Sequence, residues 1–241
     1  MAKQIALQEH GDDENQQDKK PLKLACSGLS FLTACDRCQW RECHCVKNPR
    51  GIFPSVFGKI DRINRDFYQG KSLKVLSPDL PEGILDTGEL WVQSKVFEVD
   101  GHTPFYFTGR LDALGTRSDG AGFIVPDFKT VDVKTQHLDH YQLQLNAYAL
   151  ALENPAPGRP VLAPVTHLGL QCLMPRAMKA SPTGKVGYIV EPTWVPLERD
   201  DDALFDFIAT RILRVLELPE PPAPDPTCDW CTFIDAIERG I

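Results

Sequence analysis

Three charged residues lie at the ends of two segments that have the pattern of β-strands. Asp112 occurs in GRLDAL, and Asp127 in VPDFKT is followed two residues later by Lys129. Side chains alternate along a strand, so Asp127 and Lys129 are expected on one face. Mg²⁺ and Mn²⁺ prefer oxygen ligands, and a nearby cation stabilises the negative charge that develops in phosphodiester hydrolysis. The pattern predicts a metal-assisted hydrolytic site at these residues, with the backbone carbonyl of Phe128 as an additional ligand.

A predicted helix follows this segment and brings further polar side chains. Tyr141, Gln144 and Tyr148 are spaced by three and four residues and therefore share one face. Gln144 can hydrogen-bond a phosphate or an ordered water, and Tyr148 can contact a nucleic-acid backbone. The alternative is that Tyr141, Leu145, Tyr148 and Leu152 form a packing stripe. Packing is the favoured interpretation of the tyrosines, and a functional role is favoured for Gln144.

Strands and turns on either side must position these residues. Asp100-Gly101 and Asp119-Gly120 are turn dipeptides, and a helix beginning near Thr135 is expected to end at Asn154, because Pro155 disfavours a helical residue before it. The predicted strands are LWVQSKVFEV, PFYFTGRLDAL, GFIVPDFKT, VTHLGLQCLM and VGYIVEPTWVPL.

Further helices are predicted on both sides of these strands. One covers about Leu29 to Trp40, with Ser27 or Ser30 as its N-cap. A second covers residues 56–68, with an apolar stripe of Val56, Ile60, Ile63 and Phe67, and the last covers DDDALFDFIATRILRVLEL. The order predicts an α/β fold with a mixed central β-sheet flanked by helices. Residues 1–20 are expected to be a polar, disordered tail, and residues 21–241 a single domain with its core at about 90–200.

Two cysteine pairs lie at opposite ends of the chain. Cys35-x-x-Cys38 and Cys228-x-x-Cys231 together can form a tetrahedral four-cysteine site for zinc or an iron–sulfur cluster. Such a site would join the two ends of the domain. The alternative is that the thiols are simply buried. Cys43 and Cys45, with the histidine between them, are close enough in sequence to replace a ligand, whereas Cys26 and Cys172 are expected in the core.

Composition limits the class of protein. No run of eighteen apolar residues occurs, so no membrane span is expected, and the first twenty residues lack the apolar segment of a secretory signal. A cytoplasmic location with reduced cysteines follows as the expectation. The net charge is −7, but residues 36–74 carry nine Lys and Arg against four Asp and Glu. That segment is either a surface for a nucleic-acid backbone or ordinary solvated surface.

The motifs GRLDAL, VPDFKT and QLNAY resemble the RecB-type branch of the PD-(D/E)XK nuclease superfamily. The resemblance implies a restriction-endonuclease-like core that cuts DNA with Mg²⁺ or Mn²⁺. The first family aspartate matches Asp112, the second acidic residue Asp127 and the lysine Lys129, while the family Gln and Tyr match Gln144 and Tyr148. LSFLTACDRCQW and CDWC are similar to the opening and ending of bacterial and phage relatives.

The resemblance also implies a cysteine staple and a set of partners. Some RecB- and AddB-type relatives hold a four-iron–four-sulfur cluster with one N-terminal and three C-terminal cysteines, whereas the split here is two and two, with structural Zn²⁺ as the alternative. Expected partners are DNA, single-stranded or with free ends, and a helicase or recombination protein, because the chain has no motor motif. These expectations place the chain in DNA repair or recombination, as an exonuclease or a structure-dependent DNase.

The chain departs from the family pattern at one position. Relatives often carry a His or a Glu on an early helix as a further metal ligand, whereas FGKIDRI has Gly58 but no His, and Asp61 is the nearest carboxylate. Two hypotheses therefore stand: an active nuclease in which Asp61 completes the metal site, and a catalytically weak or inactive nucleic-acid-binding module that acts with a partner.

Overall fold

The fold is described by a computed structural model that covers residues 20–33, 35–44, 54–132 and 138–240. The strands are β1 (Leu22–Ala25), β2 (Gly83–Asp86), β3 (Leu90–Gln93), β4 (Phe105–Leu111), β5 (Leu114–Arg117), β6 (Phe123–Lys129), β7 (Val165–Ala180) and β8 (Val186–Leu197). The α-helices are α1 (Asp36–His44), α2 (Ser55–Tyr68), α3 (Leu138–Glu153), α4 (Asp201–Phe207), α5 (Arg214–Leu216) and α6 (Asp229–Glu238). Short 3₁₀ helices cover Cys26–Thr33 and Leu73–Val75, and a π-helical segment, Ile208–Leu213, joins α4 to α5.

The described strands form two hydrogen-bonded sheets. The first has the order β1-β4-β3, with β1 parallel and β3 antiparallel to β4. The second has the order β2-β5-β6-β7-β8, in which only the β6–β7 pair is parallel. The predicted mixed α/β class flanked by helices is confirmed, with its strands divided between two sheets.

The two sheets meet at the acidic residue that the sequence singles out. β4 ends at Leu111 in one sheet and β5 begins at Leu114 in the other, so only Asp112 and Ala113 separate them. The sequence pattern predicts Asp112 on a strand, whereas in the structure it lies in this connection. The chain direction has to change between the sheets, and a short irregular connection allows that change.

The predicted turn at Asp119-Gly120 is present between β5 and β6. Gly120 has a φ of +70°, a left-handed conformation that costs glycine little. The Asp119 carboxylate accepts a hydrogen bond from the backbone N–H of Ala121 and pairs with Arg117. This turn returns the chain so that β6 pairs with β5 at its start only, through Phe123 and Ile124.

Alternation along β6 separates two hydrophobic cores. Val125 belongs to the larger core, which includes Leu145 of α3, whereas Ile124 and Phe128 belong to a smaller core on the opposite face. The Phe128 ring stacks on the buried ring of Tyr68 at a centroid distance of 5.0 Å. Asp127 and Lys129 follow Val125 at every second position of β6. Their side chains therefore lie on the same face of the strand as Val125 and point toward α3.

Helix α1 is tied to the C-terminal helices. The buried Gln39 amide donates to the carbonyls of Arg211 and Ile212 in the π-helical segment, each at 3.2 Å. Trp40 Nε1 donates to the carbonyl of Leu218 at 2.9 Å. A π-helical turn changes the hydrogen-bonding pattern of its carbonyls, and Gln39 supplies donors there. The N-terminal part of the domain is therefore held against its C-terminal part.

The apolar stripe predicted for residues 56–68 is not a core face. The helix forms as α2, but Val56, Ile63 and Phe67 are 52%, 65% and 56% exposed. Tyr68, outside that stripe, is buried. The helix therefore packs through its last turn, and tertiary position overrides the period of its apolar residues.

Other predicted boundaries are corrected by the structure. The helix expected over Leu29 to Trp40 is divided into a 3₁₀ helix, Cys26–Thr33, and α1. The strand expected over LWVQSKVFEV ends at Gln93, and β1 and β2 were not predicted. Helix α3 ends as expected, whereas its predicted start near Thr135 lies outside the described residues.

Strands β7 and β8 extend beyond the sheet as a long hairpin. The pairing of β6 with β7 ends at Lys129 and Cys172, but β7 continues to Ala180. Residues 175–193 are all exposed, and we call them the arm. The sequence predicts both strands but not the length of the arm.

Candidate active site and cysteine cluster

Asp112 and Asp127 converge although fifteen positions separate them. The backbone N–H of Phe128 lies close enough to the Asp112 carboxylate to lower its pKa, which places Asp112 beside the strand that carries Asp127. β5 borders β6 only at Phe123 and Ile124, so the edge beyond Ile124 is open to Asp112. The N–H and C=O of one strand residue point to the same side, and the Phe128 carbonyl therefore also lies on the Asp112 side.

Asp127 is held by two neighbouring side chains. Its carboxylate is buried, with the residue 5% exposed. Oδ1 accepts a hydrogen bond from Gln144 Nε2 at 3.2 Å, and Oδ2 lies 2.5 Å from Lys129 Nζ. The Lys129 ammonium also lies 5.1 Å from the centroid of the Tyr141 ring, a cation–π distance. Helix α3 thus fixes both members of the Asp127–Lys129 pair.

The electrostatics of this group favour a bound cation. Burial, followed by the charge of Asp127, raises the pKa of Asp112 to about 7, although Lys129 acts in the opposite direction. Burial opposes the charge of Lys129, but the Asp127 and Asp112 carboxylates outweigh it and raise the lysine pKa. Among the described residues, the Asp112 and Asp127 carboxylates therefore share a partly buried space with the Lys129 ammonium.

The residues fit the divalent ion that such a site implies. Asp127 Oδ2 is buried, and the Lys129 ammonium lies against it. Mg²⁺ and Mn²⁺ are held by oxygen donors, and the two carboxylates and the Phe128 carbonyl supply them. A cation would also relieve the repulsion that raises the Asp112 pKa. Asp112, Asp127 and Phe128 are therefore suited to hold such an ion.

Tyr148 is a buried positioning group. It is 3% exposed, and its hydroxyl donates to the carbonyl of Arg110 at 2.9 Å, two residues before Asp112. A Cβ at Gly109 would lie 2.6 Å from the Tyr148 ring, so glycine permits this close contact. The Tyr148 hydroxyl is thus used within the core, which agrees with the packing interpretation favoured for the tyrosines.

Asp61 lies within electrostatic range of the acidic pair, but among the described residues it does not join Asp112 and Asp127 in one group of possible metal ligands. Its charge is one of the contributions that raise the Asp112 pKa, so the structure brings α2 close to the acidic pair. Arg65 Nη2 lies 3.0 Å from Asp61 Oδ2, and Arg65 Nη1 lies 2.7 Å from Glu89, which also pairs with Arg110 at 2.8 Å. This chain of ion pairs connects α2 to β4. It was not predicted, because it depends on tertiary placement.

The four cysteines predicted as a metal site come together. Cys35 and Cys231 Sγ lie 3.5 Å apart, Cys38 and Cys228 Sγ 3.6 Å, and all four sulfurs lie within 4.8 Å of one another. These separations exceed the S–S bond length of about 2.05 Å. A tetrahedral site with metal–sulfur bonds of about 2.3 Å places its sulfurs about 3.8 Å apart. The cluster is therefore suited to a single tetrahedral ion.

The other cysteines lie elsewhere. Cys26 and Cys172 are buried as expected, and Cys43 is exposed and outside the cluster. Cys45 falls outside the described residues. Burial, followed by the neighbouring thiols, raises the pKa of Cys38, so metal binding would release a proton there.

Comparison with known proteins gives a match to one family. A family model described as the PD-(D/E)XK nuclease superfamily matches residues 80–236, which is more than half of the chain. Among solved structures, the crystal structure of SSO0001 is similar at 17% identity and a TM-score of 0.46, covering 90% of this chain and 86% of that one. No curated protein matches the sequence. The matched residues include both site aspartates, Lys129 and the C-terminal cysteine pair, but not Asp61.

Proposed function

The chain belongs to the PD-(D/E)XK nuclease superfamily, and on this basis we propose that it is a Mg²⁺- or Mn²⁺-dependent nuclease that hydrolyses phosphodiester bonds in DNA. One observation carries the proposal: Asp112, Asp127 and Lys129 meet where the two sheets join, with the Asp112 pKa raised by burial and by the second carboxylate. An acidic pair with an adjacent lysine supplies both the ligands and the positive charge that phosphodiester cleavage requires.

The metal ligands follow from the donor set. Asp112 and Asp127, with the Phe128 carbonyl, would hold the ion, and Asp61 is the candidate for a further carboxylate. When bound, such an ion neutralises phosphate charge and lowers the pKa of water. Gln144 donates to Asp127 Oδ1 and so leaves Oδ2 directed toward Lys129 and the ion site.

Lys129 is the proposed electrostatic catalyst. Its ammonium is held between Asp127 and the Tyr141 ring, so it is positioned before substrate arrives. The raised pKa keeps it protonated at neutral pH, as a group that stabilises a phosphorane charge must be. It can orient the attacking water or donate to the phosphate oxygen as negative charge develops.

The substrate class is tested by direct cleavage assays. The purified chain is incubated with end-labelled linear DNA, closed circular DNA and RNA, each with Mg²⁺, Mn²⁺ or EDTA. We expect degradation of linear DNA with either metal and none with EDTA. Sparing of circular DNA indicates an exonuclease, whereas its cleavage indicates an endonuclease. Absence of metal-dependent cleavage on every substrate would contradict the proposal.

A specific observation supports a second candidate function, a DNA-binding module with little activity. The early helix has no His, and Asp61 is already paired with Arg65 at 3.0 Å. If that pair persists when substrate binds, the ion lacks a third carboxylate. DNA binding without nicking under any metal condition would select this candidate, which would act with a helicase or another recombination partner.

For the cysteine cluster we propose a structural metal that joins α1 to α6. The sulfur separations support a single ion such as Zn²⁺. The four-iron–four-sulfur cluster of similar nucleases would require the sulfurs to move apart, because the cluster occupies the space between them. Metal analysis of anaerobically purified protein decides: one zinc per chain and a colourless solution are expected, whereas a brown solution absorbing near ~400 nm would establish the cluster.

A further inference from the structure

The arm is an ordered hairpin whose residues lie outside the two cores. Cross-strand pairing continues as far as Ala180 and Val186, so both strands remain hydrogen-bonded beyond the sheet. The turn is closed by two hydrogen bonds between Ser181 and Lys185, at 2.7 and 3.1 Å. Gly184 has a φ of +79°, which glycine adopts without strain. The arm is therefore built as a projecting structure.

The arm begins at the edge of the candidate active site. β7 is parallel to β6, and Lys129 pairs with Cys172, the last β7 residue beside β6. The eight further residues of β7 continue in the same direction for about 26 Å. Arg176 pairs with Asp132 at 2.7 Å, three residues after Lys129. The arm thus projects from the end of the sheet that carries Asp127 and Lys129.

One face of the arm carries exposed apolar side chains, including an aromatic ring. Met178 is opposite Tyr188, and Ala180 is opposite Val186, so these four share one face. Tyr188 is 67% exposed and Met178 is 62% exposed. A tyrosine ring held on an ordered strand is a surface on which a nucleobase can stack.

The charge of the arm is complementary to nucleic acid. Residues 175–193 contain three cations, Arg176, Lys179 and Lys185, against one acid, Glu191, in a chain whose net charge is −7. Arg176 is paired with Asp132 and lies 3.7 Å from Glu191. Lys179 and Lys185 are exposed near the tip of the arm. Lys179 alternates to the face opposite Tyr188, so a strand that crosses the narrow hairpin can meet both the ring and the ammonium groups.

The free edge of β8 does not favour pairing with a second copy of the chain. Pro192 and Pro196 lie on that strand and lack the N–H donor that an added strand would need. Charge and location together favour nucleic acid over self-association as the occupant.

We propose that the arm binds a single strand of nucleic acid and guides it to the Asp112–Asp127 site, with Tyr188 stacking on a base and Lys179 and Lys185 contacting phosphates. This inference rests on the proposed nuclease function, because the bound strand is led to the site at which it would be cleaved. The arm itself supplies affinity without touching the reacting phosphate.

The test measures binding of a fluorescent single-stranded oligonucleotide by anisotropy in EDTA, where no cleavage occurs. We expect Tyr188→Ser to weaken binding at least about fivefold, the lower end of a lost base-stacking contact. Lys179→Glu/Lys185→Glu should reduce the slope of log affinity against log salt by about 1.4, because two phosphate contacts are lost. The matched controls are Trp91→Ser, at another exposed aromatic, and Lys20→Glu/Lys23→Glu, with the same charge change; both should bind as the parent does.

The inference is overturned if the arm variants bind single strands as the parent does. With that result, a loss of affinity for duplex DNA would make the arm a duplex contact, and a change from dimer to monomer in light scattering would make it a contact between two copies of the chain. The nuclease function can fail independently of the arm. If the parent never cleaves but its binding of single strands depends on the arm, the nuclease function is contradicted and the binding role of the arm is not. Cleavage by the parent with binding unaffected by the arm variants overturns the arm alone.

Discussion

Asp112 is placed where an ionised carboxylate is unfavourable unless a cation is present. Burial and the charge of Asp127 raise its pKa to about 7. The folded protein therefore takes up a proton as the pH falls below about 7, whereas the unfolded chain does so only near the ordinary value of about 4. The destabilising charge is fully present above pH 7 in the metal-free protein and is lost as Asp112 becomes protonated.

Asp112→Asn is predicted to stabilise the metal-free protein at high pH. The substitution removes the buried charge but keeps the size of the side chain. At pH 8 in EDTA we expect thermal unfolding at least about 3 °C above the parent. At pH 5 the difference should shrink, because parental Asp112 is already protonated. Asp119→Asn, at an exposed turn, is the control, and an equal gain at both pH values would contradict the assigned pKa.

Local sequence patterns identify the acidic pair and Lys129, because the alternation of side chains along a strand involves only neighbouring residues. They also select Gln144, which the structure places on Asp127. They do not reveal the contact of Lys129 with Tyr141, since packing alone explains a tyrosine at that spacing. The environment of Asp112 is likewise invisible, because its burial depends on how the two sheets meet.

At the scale of elements, the site depends on close packing of α3 against β4. Gly109 lets the Tyr148 ring approach the strand, and the hydroxyl then anchors the Arg110 carbonyl. Because Asp112 follows two residues later, this contact sets the position of the first carboxylate. The geometry of the site therefore depends on a glycine that has no chemistry of its own.

Gly109→Ala is predicted to destabilise the fold by about 1–3 kcal/mol, the usual cost of overpacking a core. A new Cβ would lie 2.6 Å from the Tyr148 ring, so either α3 or β4 must shift. Chemical denaturation measures the loss. Gly58→Ala is the matched control: its Cβ meets nothing within 4 Å in α2, so it should be neutral or stabilising. A Gly109→Ala variant as stable as the parent would show that the contact is not tight.

The elements themselves are predictable from sequence to different degrees. The Asp119-Gly120 turn and the end of α3 follow from local chemistry, and the structure contains both. The apolar stripe of α2 wrongly predicts a buried face, because a helix can pack through one end and leave its apolar residues exposed. The arm is not predicted as a projection, since a strand outside a sheet has the same local pattern as one inside it.

At the scale of the whole molecule, the cysteine cluster connects parts of the chain about 190 residues apart in sequence. Two Cys-x-x-Cys pairs make the cluster predictable, because the spacing is that of a metal site. The accompanying contacts of Gln39 and Trp40 with the C-terminal helices are not predictable, since they depend on the docked position of α1.

The described helices also include none long and apolar enough to cross a membrane, as expected.

Cys38→Ser is predicted to remove the bound metal and to lower thermal stability. Loss of one ligand opens the link between α1 and α6, and metal-binding free energy is folding free energy in such sites. We expect a decrease of at least about 5 °C in unfolding temperature and less than one metal per chain. Cys43→Ser, at an exposed cysteine outside the cluster, should change neither quantity. Equal metal content in both variants would contradict the assignment of the cluster.

Single-turnover cleavage of labelled linear DNA with Mn²⁺ tests whether Asp112, Asp127 and Lys129 form a phosphodiester-cleaving site. The parent is compared with Asp112→Asn, Asp127→Asn, Lys129→Met and the control Asp119→Asn. We predict that each of the first three loses about a hundredfold or more in rate, as expected for removal of a ligand or charge-stabilising group, while the control cleaves as the parent does. Parental rates in Asp127→Asn and Lys129→Met would show that these residues do not form the cleavage site.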